Sequence, residues 1–171
     1  MTKSLFLLAS LTTALALSGC GQKEAAPAAA APAAAAAKAA APAVAGPRVI
    51  EITANDQMKF SITAIEAKVG EELKIVLTNA GTLPKEAMGH NMVILKPGSD
   101  PAAFAAASMA AKDTNYVAPS LKDQVIASTE ILGPRKSAEI TFKATAAGDY
   151  PFLCSFPAHF MVGMKGAITV R

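Results

Sequence analysis

Gly148-Asp149-Tyr150-Pro151-Phe152-Leu153-Cys154-Ser155-Phe156-Pro157-Ala158-His159-Phe160-Met161-Val162-Gly163-Met164-Lys165-Gly166 is the stretch around which the chain is organised. Its first part reads as a strand ending at Cys154, its middle as a turn containing Pro157, and its end as a strand beginning at Met164. Side chains of one strand alternate between faces, so a strand alone cannot aim adjacent donors at one atom. A loop between two neighbouring strands can. This one turns a thiol, an imidazole and a thioether, those of Cys154, His159 and Met164, toward a common point. The other histidine of the chain, His90, lies 64 residues before Cys154 and opens a strand of its own.

Outward from that loop, the sequence has the texture of an all-β domain. Short runs rich in β-branched residues alternate with Gly, Pro and Asn. Strands are expected over 49–54, 59–62, 64–67, 73–79, 90–95, 124–127, 129–132, 137–143, 150–154 and 166–170. Leu73-Lys74-Ile75-Val76-Leu77-Thr78-Asn79 alternates cleanly and should be half buried. One helix is expected over 101–112, with Asp100 as its cap, Pro101 at its first position, and Phe104, Ala107 and Ala111 facing the domain. The expected architecture is a Greek-key antiparallel β-sandwich with one inserted short helix.

The front of the 171-residue chain is different. Lys3 precedes an apolar run from Leu5 to Leu17 that is short for a bilayer span and reads as a secretory signal. It ends in Leu17-Ser18-Gly19-Cys20, which resembles a bacterial lipobox, so residues 1–19 are expected to be a lipoprotein signal peptide and Cys20 the lipidated residue. Several acyl chains on one cysteine would anchor stably, each buried methylene contributing roughly 0.8 kcal/mol. Gly21 follows, with no aspartate there to favour retention at the inner membrane, so the expected location is the bacterial outer membrane, on its periplasmic face or at the cell surface. Residues 20–47 complete this segment with an Ala/Pro-rich linker, where prolines interrupt the helix that polyalanine would favour. Mostly extended, it would reach on the order of 80 Å at about 3.1 Å per residue.

The formal charge of +3 for the whole chain nearly disappears in the domain. Residues 47–171 hold 13 Lys and Arg against 12 Asp and Glu. No basic run is interleaved with aromatics, so nucleic acid is not an expected partner. The two cysteines separate in the same way. Cys20 belongs to the lipobox, and Cys154 is a lone thiol in an exported domain, exposed to oxidation unless buried or held by a metal. One thiolate, two imidazoles and a thioether are the donor set of a blue-copper electron-transfer site, although zinc can occupy the same ligands.

The fragments Leu83-Pro84-Lys85-Glu86-Ala87-Met88-Gly89-His90-Asn91 and Cys154-Ser155-Phe156-Pro157-Ala158-His159, followed by Met164-Lys165-Gly166, closely resemble azurin. The resemblance covers residues 48–171 and implies a cupredoxin domain holding one type 1 copper. It assigns His90, His159 and Cys154 as equatorial ligands, Met164 as a long axial ligand, and the Gly89 carbonyl opposite it. It makes Asn91, with Ser155, a neighbour that steadies the two ligand loops. Three features depart from azurin. Four residues rather than three separate His159 from Met164, as in the lipid-anchored auracyanins. The azurin N-terminal disulfide is missing. Met92 and Asn79 replace a common tryptophan and a histidine linked to pH-dependent redox behaviour.

The same resemblance implies a docking surface around the edge of His159, formed by Leu83, Met88, Phe156, Pro157 and Ala158, with Met161 and Phe160 beside them. Small apolar patches suit encounters that must dissociate quickly. The expected function is one-electron transfer between redox proteins such as cytochromes or terminal reductases and oxidases, with the membrane engaged through the anchor. No enzymatic activity is expected, since the chain lacks the further histidines of a catalytic copper centre. The alternative is a copper-binding or copper-handling lipoprotein.

Overall fold

The alternation of residues 72–79 carries directly into the structure, a computed structural model that describes residues 46–171. The expected signal peptide, Cys20 and all but the end of the Ala/Pro linker lie outside the described residues. In the strand Glu72–Asn79, Leu73, Ile75, Leu77 and Asn79 are buried while their neighbours are exposed or half-buried. Counted as β4, it is preceded by β1 (Arg48–Asn55), β2 (Lys59–Phe60) and β3 (Ala64–Ala67). After it come helix α1 (Lys85–Met88), β5 (Val93–Leu95), helix α2 (Pro101–Ser108), β6 (Val125–Ser128), β7 (Ser137–Lys143), β8 (Gly148–Leu153) and β9 (Lys165–Val170).

These strands form two sheets, of order β2-β1-β4-β7 and β3-β9-β8-β5-β6. The expected sandwich is present, and its sheets are mixed rather than wholly antiparallel. β1 runs parallel to β4, from Arg48 opposite Leu73 to Ala54 opposite Asn79, and β3 runs parallel to β9. Between the sheets lies one apolar core that includes Ile52, Leu73, Ile75, Leu77, Phe142, Phe152 and Ile168. Phe142 meets Tyr150 edge-on at 5.0 Å, one of the geometries aromatic pairs favour.

β5 breaks the alternation, because all three of its residues are buried. Ile94 joins the core between the sheets, whereas Val93 and Leu95 join Phe104, Ala105, Leu153 and Phe160 in a second cluster beneath α2. That second layer is why this strand reads as a continuous apolar run. The Asp100 carboxylate caps α2 as expected, accepting from the Ala102 and Ala103 amides at 2.8 and 3.2 Å. The helix stops at Ser108, four residues before the expected end at Lys112. Its buried face is Phe104, Ala105 and Ser108, with Ala107 exposed. Beyond it, Asn115 and Tyr116 both take left-handed backbone angles, φ 53° and 56°. Among the described residues no helix is long and apolar enough to cross a membrane.

Candidate metal centre

The two sequence motifs meet at one end of the sandwich. His90 sits just before β5, bridged to Leu132 by paired backbone hydrogen bonds: its amide donates to the Leu132 carbonyl at 3.1 Å, and its carbonyl accepts the Leu132 amide at 2.7 Å. Cys154 follows β8, and its amide donates to the Met164 carbonyl at 3.0 Å, closing the base of the ligand loop. Inside that loop the His159 amide donates to Phe156, and the Met164 amide to His159 at 3.0 Å. Each donor-bearing residue is thus fixed by main chain before its side chain is considered.

The ligand atoms of His90, Cys154 and His159 all lie within 4.8 Å of one another. Cys154 Sγ is 3.5 Å from His159 Nδ1, and the two imidazole rings are 4.9 Å apart. All three residues are buried, His159 retaining 2% of its surface. Burial pushes the Cys154 thiol up to about 12, against the pull of the Asn91 and Phe156 amides, and pushes His159 down to about 4 with help from His90. Burial also lowers His90, although the Asn55 carbonyl and the Asp56 carboxylate favour its protonated form.

Both ring nitrogens of His90 are buried without a hydrogen-bond partner among the described residues. The Asn55 carbonyl is near but outside hydrogen-bonding geometry. A buried imidazole with neither nitrogen satisfied is costly. A cation bound between His90, Cys154 and His159 offsets that cost, since neutral imidazole and thiolate are its ligands. The donor set therefore fits a type 1 copper site.

Met164 is fully buried, its carbonyl bonded to the Cys154 amide. Gly89 is buried next to His90, and a side chain there would run into the Ile131 methyl and the Lys85 carbonyl. Asn91 ties the two motifs together: its Nδ2 donates to Ser155 Oγ at 2.9 Å and to the Asn115 carbonyl at 3.0 Å. Its Oδ1 accepts the Ser155 amide at 2.9 Å. Asn79 is a buried amide donating to the Leu132 carbonyl at 3.0 Å.

The expected docking residues divide. Leu83 is 43% exposed and Met161 80%; Ala158 is exposed, and Met88 and Pro157 are half-buried. Phe156 is largely buried, its ring 4.7 Å from His159 and 5.1 Å from Tyr116. Phe160 turns inward to the cluster under α2, with Lys165 Nζ 4.4 Å from its ring centre. Tyr116, Asn115 and Asn55 were not singled out from sequence. The one local hint was asparagine in a loop, since asparagine tolerates left-handed backbone better than most residues.

A family model described as copper binding proteins, plastocyanin/azurin family, matches residues 48–171. The chain is 38% identical over 129 residues to an azurin of Pseudomonas fluorescens biotype A, covering 71% of this chain and 97% of that protein. It is 36% identical over 122 residues to outer membrane protein H.8 of Neisseria gonorrhoeae, covering 70% of this chain and 65% of that one. Among solved structures, reduced auracyanin from Roseiflexus castenholzii superposes with a TM-score of 0.64 at 34% identity, over 74% of this chain and 99% of that chain.

Proposed function

The chain belongs to the plastocyanin/azurin family of copper-binding proteins, and from that premise we propose that it carries single electrons between redox proteins rather than catalysing a reaction. The observation that carries this reading is the trio His90, Cys154 and His159, buried, convergent and held by main-chain hydrogen bonds. In this reading Met164 and the Gly89 carbonyl would complete the set of groups that hold the copper. Bound there, copper supplies a one-electron couple whose potential is tuned by the groups around it.

The protein's own part is to resist movement. Asn91 clamps the strand of one histidine to the loop of the other, while the Asn91 and Phe156 amides face the Cys154 sulfur. A ligand set that cannot relax reorganises little when its charge changes by one. The Phe156 ring packs against His159 and helps to bury that imidazole. The exposed edge formed by Leu83, Ala158 and Met161 is the contact surface for cytochromes, reductases or oxidases. Burial of all three donors disfavours the alternative of a copper-delivering protein, which needs ligands a partner can reach.

Copper loading of the domain is expected to produce an intense visible absorption arising from the Cys154 thiolate. Cys154→Ser should abolish it while the circular dichroism of the sandwich persists. A colourless Cu(II) form of the unaltered protein defeats the proposal.

Residues 1–19 act in this reading as a lipoprotein signal and Cys20 as the lipidated residue, with the remainder of residues 20–47 as tether. Support comes from Leu17-Ser18-Gly19-Cys20 and from the likeness to an outer membrane protein. Cys20→Ser should move the protein from the membrane fraction to the soluble fraction of cells expressing the full chain. Retention in the membrane overturns the anchor.

A further inference from the structure

The turn between β1 and β2 touches three separate parts of the metal end. The Asn55 carbonyl faces His90. The Asp56 carboxylate accepts the Thr82 amide at 2.8 Å, the Thr82 hydroxyl at 3.0 Å and the Leu83 amide at 3.4 Å, holding the segment that leads to His90. Lys59 reaches the other way, its Nζ donating at 2.7 Å to the Val162 carbonyl across 103 residues of sequence. The turn is itself braced. The Gln57 amide donates to Asn55 Oδ1 at 3.0 Å, the Met58 amide to the Asn55 carbonyl at 2.9 Å, and Asn55 pairs with Lys59.

Val162 lies at the outer edge of the loop between His159 and Met164. The amides of Met161, Val162, Gly163 and Met164 are satisfied inside the loop by the carbonyls of Ala158, Phe160 and His159. The Val162 carbonyl is satisfied from outside, by Lys59. Gly163 makes that possible: it adopts φ +94°, and a side chain there would approach Lys59 Nζ to 3.2 Å. A loop gains freedom with its length; four residues separate His159 from Met164, and the bonds inside the loop tie it only to itself. A fixed point at its rim removes that freedom.

We propose that Lys59 is a positioning residue of the metal centre, latching the Val162 carbonyl so that the loop holds His159 and Met164 at a fixed spacing. Together with Asp56, it makes the β1–β2 turn a clamp between the two ligand-bearing segments. The consequence for the metal rests on the copper-carrier reading; the latch itself does not.

The test uses the full chain with Lys59→Met, which keeps the aliphatic stem and removes the donor, and Lys59→Arg, which keeps a charged donor. In metal-free protein, amide exchange at Val162, Gly163 and Met164 should quicken about tenfold in the methionine variant, consistent with losing one charge-assisted hydrogen bond. Exchange at Ile75 and Phe142 should not change, and the arginine variant should keep most of the protection. In copper-loaded protein, the methionine variant should alter the relative intensities of the visible bands and the paramagnetic-resonance hyperfine splitting, with arginine restoring them. Unchanged exchange, or faster exchange with an unchanged spectrum, overturns the proposal, as does an equal change in both variants. If unaltered protein fails to turn blue, the carrier reading falls. If it turns blue and Lys59→Met cannot be told from it, the latch falls alone.

Discussion

A thiol pushed up to about 12 and an imidazole pushed down to about 4, with sulfur and nitrogen 3.5 Å apart, leave the metal-free site uncharged near neutral pH. Only one of the three donors then carries a proton that a metal must displace. Copper binding near neutral pH is therefore expected to release one proton, from Cys154, measurable by titration calorimetry in buffers of different ionisation enthalpy. Release of two or more would mean that a histidine is protonated in the folded protein. The same directions fix the acid behaviour of the metal-free fold. His90 and His159 have folded pKa values below the ordinary histidine value of 6.5, so the unfolded chain binds more protons as pH falls through that value. Their contribution to stability is full above 6.5 and is lost progressively toward about 4. Urea midpoints measured across that interval should fall in metal-free protein, and less so in His159→Gln, which has nothing there to protonate.

Elements built from local signals were legible and those built from distant partners were not. Asp100 before Pro101 announced α2, and the carboxylate caps the Ala102 and Ala103 amides. Asp100→Ala should cost about 1 kcal/mol of unfolding free energy, read by urea denaturation, and leave the visible spectrum unchanged because α2 packs on the second cluster and supplies none of the three metal donors. The far end of α2 was misplaced because a run of alanines carries almost no contrast between faces; Ser108, not Ala107, turns inward. Leu73 to Asn79 alternated as a half-buried strand must, yet alternation names a face and never a neighbour. The parallel pairing of β1 with β4 was therefore invisible. His90 and His159 stood out as the two histidines of the chain, both in motif positions. Lys59 did not stand out, because an exposed lysine on an edge strand is ordinary until its partner 103 residues away is seen.

For the molecule as a whole, β1 has a direction that matters. The chain enters it at Arg48, where the guanidinium meets the Glu71 carboxylate at 2.6 Å and the Glu66 carbonyl at 2.6 Å. It leaves at Asn55, against His90. Eight residues at about 3.3 Å each place the point of entry and the metal end on opposite poles. Between them β1 is paired in parallel with β4 over seven residues. A pull on the chain at Gly46, resisted by a partner docked at the far pole, runs along that ladder and loads its hydrogen bonds in shear, all together. It does not peel them one at a time. The strand that leads into the domain is thus also the one through which such a load enters the sheet.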